Sequence, residues 1–321
     1  MAAACFNTKL KADSENQALL EAMRTVFFSI CQDDAGLEWK YRFTSRDPFY
    51  QSYAQSAKVI EKKAKHYIEL AQLKLVRDSV RKSCDQSSGA SILQSLLQKK
   101  GLPMRHVTNI IESILIRGPS AGIFPLVLYN LATHPSKQDM AAREVISVLG
   151  PDGNITSETL SELRYLKACV RESMRVFFPS TNGISRILSD DAVLSGYVVP
   201  RNTQVVMNNK RIAKNPEHFP SPELFMPERW LRQQDACPIP SIVTSQQDGR
   251  QEGPRPPPFS NLPFGHGPRN CVGRHYAEQE IHVGVAKILQ RLKVKVDPAY
   301  RGIEELSDVH SVPFLFEKRL T

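Results

Sequence analysis

Ten consecutive residues, Phe264-Gly265-His266-Gly267-Pro268-Arg269-Asn270-Cys271-Val272-Gly273, place a cysteine between glycines at the entrance to a helix. Backbone N–H groups and the positive end of a helix stabilise a thiolate, and the thiolate is the form of cysteine that binds metal. Gly267 and Gly273 let the backbone approach a flat macrocycle, Phe264 can shield the sulfur from water, and Arg269 offers a guanidinium to a propionate. Together they describe thiolate ligation of a haem iron. A structural cysteine ahead of a helix would account for Cys271 but not for the other four residues.

Two other groupings carry chemistry. Glu172 and Arg175 stand one helical turn apart, a spacing that pairs charges on a helix surface, and Pro227-Glu228-Arg229-Trp230 supplies a further arginine. On the same helix Arg164, Lys167 and Arg171 fall at i, i+3 and i+7, where like charges repel unless an acidic partner compensates or water solvates the face.

The elements that must position these residues are mostly helical, joined at prolines. Ala57, Ile60, Ala64, Ile68, Ala71 and Leu75 mark a long amphipathic helix, with Lys58, Lys62, Lys63 and Lys65 on its other faces. An apolar stretch over 106–134 contains Pro119 and Pro125, each of which removes a backbone bond and kinks a helix. A helix over 136–149 stops at Gly150-Pro151, and Leu166, Val170, Met174 and Phe177 mark another that ends before Pro179. Residues 184–207 turn β-prone, with Gly196 and Pro200-Arg201-Asn202 as turn punctuation. Residues 233–263, rich in Pro, Gln, Ser and Asp, read as a surface loop. The last helix begins near Cys271, with Ala277, Ile281, Gly284, Ile288 and Leu292 on its inner face. The pattern predicts a mainly α fold with a minor β portion.

Composition sets the bounds. With 321 residues, 41% hydrophobic and 23% charged, the chain can bury a sizeable core, in one large domain or two modest ones. No run approaches the roughly 18 apolar residues of a membrane span, and the start MAAACFNTKLKAD has neither a secretory h-region nor an Arg-rich transit pattern. The formal charge of +9 suits anionic lipid, nucleic acid or an acidic protein. Six scattered cysteines without a C-x-x-C pair indicate free thiols in a reducing compartment. Trp39-Lys40-Tyr41-Arg42-Phe43 and Phe49-Tyr50 interleave aromatic and basic residues, the mix of a lipid headgroup boundary, or alternatively of aromatics that pack in a core.

Residues 264–273 resemble the cysteine-loop signature F-x-x-G-x-R-x-C-x-G of cytochromes P450 at all five fixed positions. Glu172 and Arg175 resemble the family's E-x-x-R pair, and Pro227-Glu228-Arg229-Trp230 its P-E-R-[FW] segment, so the three motifs occur in the family's order. The resemblance implies haem b with Cys271 as the axial iron ligand, Arg269 and Arg186 as propionate partners, and Glu172, Arg175 and Arg229 as a structural cluster. It implies monooxygenation of a lipophilic substrate. Leu166-Lys167-Ala168-Cys169-Val170-Arg171-Glu172 and Gly273-Arg274-His275-Tyr276-Ala277-Glu278 are similar to stretches of the animal mitochondrial class, with His275 departing from an arginine. That class implies an adrenodoxin-type ferredoxin docking at Lys167 and Arg171, a steroid or sterol substrate, peripheral contact with the mitochondrial inner membrane, and no nucleic-acid partner.

The chain departs from the family in two places. The family's central helix carries A-G-x-[DE]-T, whose acid and alcohol deliver protons to bound dioxygen; here the corresponding residues are Leu115-Ile116-Arg117-Gly118-Pro119, and Ser120 is the nearest hydroxyl and the catalytic candidate. The resemblance begins at Ala4-Cys5-Phe6-Asn7-Thr8-Lys9-Leu10, similar to the middle of a family member just before two paired helices. Residues 1–321 therefore read as a single domain lacking the family's amino-terminal third. Two other readings stay open: a haem-thiolate isomerase or peroxide-dependent enzyme, which does not activate dioxygen with external electrons, and a non-catalytic truncated remnant.

Overall fold

The computed structural model describes residues 14–33, 48–81, 91–117, 123–178, 184–231, 256–300, 302 and 312–319. The chain forms two compact units, Met1–Pro119 and Ser120–Thr321. It is mainly helical with small antiparallel sheets, as the sequence pattern predicts.

The first unit contains helices α1 (Ser14–Asp33), α2 (Pro48–Arg81), α3 (Ile92–Gln98) and α4 (Met104–Arg117). Ile60, Ala64 and Ile68 at i, i+4 and i+8 of α2 meet Val107, Ile111 and Leu115 at the same spacing in α4, with Leu19 and Val26 of α1 and Leu93 of α3 completing the core. The basic amphipathic helix expected around 57–75 is the middle of α2, and its Lys58, Lys62 and Lys65 are exposed. Ser91 starts α3 with a capping box: its hydroxyl accepts from the Gln94 N–H at 3.2 Å while Gln94 Oε1 accepts from the Ser91 N–H at 3.0 Å.

The second unit contains α5 (Ile123–Thr133), α6 (Pro135–Leu149), α7 (Ser157–Glu162), α8 (Arg164–Val176), α9 (Asn209–Ala213) and α10 (Arg274–Arg291). Strands β1 (Ile184–Ile187) and β4 (Gln204–Met207) pair around the hairpin of β2 (Ala192–Leu194) and β3 (Tyr197–Val199), and β5 (Leu292–Val296) pairs with β6 (Phe314–Lys318). Ser195 and Gly196, at φ +50° and +86°, make the two-residue connection between β2 and β3, where both central residues need a left-handed backbone.

Two expectations change. Pro125 lies in the first turn of α5, where no intrahelical N–H bond is lost, so it starts a helix and does not kink one. The break expected at Pro119 falls in 118–122, outside the described residues. The inner face of α10 is Ile281, Val285 and Leu289; Ala277, Gly284 and Ile288 are only half-buried, and Leu292 opens β5. The neighbouring helices decide which stripe is covered, and only Ile281 belongs to both the expected and the observed face. Gly284 nonetheless marks a close approach, since a Cβ there would stand 2.5 Å from Cε2 of Phe124 on α5. Most of the proline-rich loop, residues 232–255, lies outside the described residues.

Helix α8 is the centre of this unit, packed by α5, α6, α10 and the 3₁₀ turn Pro227–Trp230. Its first turn has no side-chain cap of its own. Instead, the buried Glu144 of α6 accepts from the N–H groups of Tyr165 at 2.8 Å and Leu166 at 2.9 Å. Burial raises the Glu144 carboxyl above the usual carboxylate range, against the opposing pull of those N–H groups. Gln138, also buried, donates to the carbonyls of Leu131 at 3.0 Å and Val294 at 2.8 Å and accepts from the Val294 N–H at 2.9 Å, which ties β5 to α5 and α6.

Toward the C-terminal end of α8, Glu172 and Arg175 are both fully buried. Arg175 donates from Nε to Oε2 of Glu172 at 3.0 Å and from Nη2 to Oε1 at 2.8 Å, a bidentate pair. Its remaining donors reach the carbonyls of Ala213 and Leu224, each at 3.1 Å. Glu172 also accepts from Arg229 Nε at 3.0 Å, the Met226 N–H at 3.0 Å and the Trp230 indole at 2.8 Å. Five donors thus converge on one carboxylate.

Arg175→Leu would leave that charge buried without its main partner. The expected cost is about 3–5 kcal/mol against a typical total of about 5–15; a denaturant midpoint like that of the wild type would show the pair to be dispensable. For Glu144, the folded state holds its proton more tightly than the unfolded chain. Its stabilising share is therefore complete below the ordinary value of 4.5 and is lost as pH rises through the raised folded value. Glu144→Gln should flatten that decline in a pH series of unfolding curves, and an unchanged slope would count against it.

Candidate functional site

The cysteine loop is shaped by its backbone before any side chain acts. Gly265 and Gly267 take φ of +73° and +77°, a left-handed conformation that costs glycine nothing and other residues much. The Gly265 N–H donates to the Leu262 carbonyl at 3.0 Å, the Asn270 N–H closes the 3₁₀ turn Gly267–Arg269 onto the Gly267 carbonyl at 3.0 Å, and the Cys271 N–H returns to the Phe264 carbonyl at 2.8 Å. That last bond brings the two ends of the loop together. Gly273 is the N-cap of α10, and its carbonyl accepts the first helical bond from Ala277 at 2.9 Å. A Cβ on Gly273 would stand 4.0 Å from the Cys271 sulfur, so the thiol lies over the start of the helix, at the positive end of its dipole.

The thiol itself is exposed, and so is its neighbour Val272, at 97%. Cys169, inside α8, is the opposite case: it is fully buried, and burial pushes its thiol well above the usual range. The Phe264 ring packs against the core of the second unit, with the Arg274 guanidinium carbon 5.7 Å from the ring centroid. Arg269 is exposed at the end of its 3₁₀ turn and carries no ion pair among the described residues.

Strand β1 reaches this loop through Ile184, whose Cδ1 would stand 3.3 Å from a Cβ on Gly265. Arg186, two residues along, shares the face of Ile184, whereas Ser185 and Ile187 point to the exposed face. Its Nη1 donates to the Ser185 carbonyl at 2.7 Å. The tertiary structure therefore gathers Cys271, Arg269, Gly267, Gly273 and the strand that bears Arg186 into one region. Ser120, with Gly118 and Pro119, lies outside the described residues.

Lys167 and Arg171 both make contacts within the chain, and Arg171 is exposed. Lys167 is half-buried and donates to the Ser161 carbonyl at 3.1 Å, and burial pulls its pKa down. Arg171 stacks over the Trp230 ring with its guanidinium carbon 4.0 Å from the centroid. Trp230 thus joins the basic face of α8 to the buried Glu172, a link that helix spacing alone does not reveal. The only sequence signal for it is the position of Trp230 beside Arg229. The cap provided by Glu144 leaves no local trace at all, because its partners are backbone N–H groups 21 and 22 residues away.

A family model described as Cytochrome P450 matches residues 1–311. Among curated proteins, the chain is 28% identical to Cytochrome P450 CYP12A2 of Musca domestica, over 97% of this chain and 57% of that protein. It is 30% identical to the mitochondrial 25-hydroxyvitamin D-1 alpha hydroxylase of Homo sapiens, over 71% of this chain and 42% of that protein. It is 28% identical to mitochondrial Cytochrome P450 302a1 of Drosophila melanogaster, over 88% of this chain and 52% of that protein. The chain spans about half the length of these relatives. With a match along nearly its whole length, and with the cysteine loop and the Glu172–Arg175–Arg229 cluster in place, this chain belongs to the cytochrome P450 family.

Proposed function

We propose that the chain is the cysteine-bearing part of a haem-thiolate monooxygenase that hydroxylates a lipophilic substrate of steroid or sterol type with electrons from an adrenodoxin-type ferredoxin. Haem b is the cofactor of the family. The observation that carries the reading is the exposed Cys271 thiol at the start of α10, beside a bare Val272.

The residues present fit the cofactor. A Cβ at Gly267 would meet nothing within 4 Å, so the loop stands clear around the thiol, and an apolar side chain 97% exposed next to that thiol suits a planar apolar cover. Cys271 would ligate the iron, the helix end would hold its sulfur as thiolate, and Arg269 and Arg186 would pair with the propionates. When bound, the haem supplies the activation of oxygen, with the thiolate donating electron density to the iron. In this reading Ser120 is the hydroxyl that passes protons toward the reacting centre, in place of the family's acid and alcohol. Lys167 and Arg171 would steer an acidic ferredoxin to α8.

The printed names of relatives support the finer points: two of the three described above are called mitochondrial, and one is called a vitamin D hydroxylase. On that basis the chain would work in a mitochondrion, in peripheral contact with the inner membrane. Among the described residues no helix is long and apolar enough to cross a membrane. The aromatic and basic segment expected at a lipid surface lies mostly outside the described residues, with Phe49 and Tyr50 half-buried in the first turn of α2.

Cys271→Ala should abolish the thiolate-type carbon-monoxide difference spectrum of the reduced protein, and retention of that spectrum would remove the central assignment. Lys167→Glu should slow association with an adrenodoxin-type ferredoxin about tenfold at low salt and weaken its salt dependence, with haem content unchanged. Association equal to that of the wild type at two salt concentrations would exclude docking at this face. The single substitution is preferable to one at Arg171, where loss of the Trp230 stack would cost about 0.5–1 kcal/mol independently of any partner.

A further inference from the structure

Lys167 and Arg171, the two cations of the proposed docking face, also line a cavity of about 270 Å³ within the second unit, between α8, the start of α10 and the chain leading into the cysteine loop. Its wall carries three cations, Lys167, Arg171 and Arg274, against one carboxylate, Glu278. Few of their donors are engaged. Lys167 gives one N–H to the Ser161 carbonyl at 3.1 Å, and Arg274 gives only Nε to Glu278 at 3.0 Å, leaving both terminal nitrogens. Arg171 lies on Trp230 and makes no ion pair among the described residues. Glu144 stands near Lys167, but its two oxygens are taken up by backbone N–H groups.

Positive charge is therefore in excess around this space, with Arg171 and Arg274 themselves exposed and Lys167 half-buried. The surrounding groups register it. Burial lowers the pKa of Arg171, with the Arg274 charge adding to the effect. Burial likewise depresses His282, which lines the same cavity, to about 4, with the Lys167 charge adding, so its imidazole is neutral at pH 7 and keeps one N–H donor. Asn261 is also in the wall, but its amide oxygen and nitrogen are sealed from solvent and do not face the open space.

We propose that this cavity binds a small oxyanion of the phosphate type, held by Arg274 and Lys167, with Arg171 at its side. The terminal nitrogens of a guanidinium match two oxygens of one phosphate, and a lysine adds a point charge. A cation would be repelled, and an apolar ligand would leave the free donors of Arg274 and Lys167 unpaired. The volume falls just below the roughly 300–1,000 Å³ of pockets for drug-sized ligands, which suits a small ion with its waters better than a lipophilic substrate.

The test is isothermal titration of the purified full chain at pH 7 with inorganic phosphate, set against sodium chloride at matched ionic strength. Saturable binding should appear with phosphate alone. Arg274→Gln and Lys167→Gln should each weaken it about tenfold. Arg291→Gln, on the same helix but paired with Asp152 at 3.1 Å and outside the cavity, should leave it unchanged. Bound phosphate should also raise the titration midpoint of His282, followed by NMR, by about one pH unit. Phosphate heats no larger than those of chloride would overturn the proposal, as would equal affinity in Arg274→Gln. A cavity whose cations answer only to carboxylates of a docked protein would give that first result.

Discussion

The second unit is organised around one buried carboxylate. Glu172 is fully enclosed, and an ionised carboxylate in that position is tolerable only if donors replace the water it has lost. Here the donors come from four residues: Arg175 on the same helix, and Met226, Arg229 and Trp230 from a segment more than fifty positions along the chain. The carboxylate thereby fixes where residues 226–230 must lie. Through its other donors, Arg175 fixes the carbonyls of Ala213 and Leu224 as well. A stretch of chain with little regular secondary structure acquires a defined path from this single constraint.

The same helix serves two environments. One side of α8 carries the charge cluster and the apolar contacts to α5, α6 and α10; the other carries Lys167 and Arg171. These sides are not independent, because the Trp230 indole donates to Glu172 through its nitrogen and supports Arg171 on its ring. A cation held in this way has lost much of its side-chain freedom before any ligand arrives, which lowers the entropic cost of recognition. The proposed partner-docking face and the structural core of this unit are thus joined by one aromatic side chain.

The cysteine loop depends on the core in a different way. Its shape comes from two glycines in left-handed conformation and a short closing bond from Cys271 to Phe264, all of them local. Its placement comes from its neighbours. Phe264 is drawn into the core, α10 is packed through Ile281, Val285 and Leu289, and Ile184 touches the loop at Gly265. The exposed thiol is left at the junction of a rigid helix and a strand, which is how a reactive group is held in place without being buried.

The sequence alone determined the helical class, the β-prone stretch at 184–207 and the glycine-flanked cysteine at a helix start. These rest on short-range physics: apolar periodicity, turn residues, and glycines flanking a thiol at a helix start. It also picked out Glu172, Arg175 and Arg229 by type and spacing, but spacing could not distinguish a solvated surface pair from a buried one. Burial is a property of what packs on top. For the same reason the inner face read for α10 through Gly284 and Ile288 gave way, under packing against α5 and α8, to the one through Val285 and Leu289. Only the tertiary structure could show Glu144 capping α8, Ile184 meeting Gly265, or Arg171 lying on Trp230. Each of these joins residues distant in the chain through contacts that leave no local pattern to read.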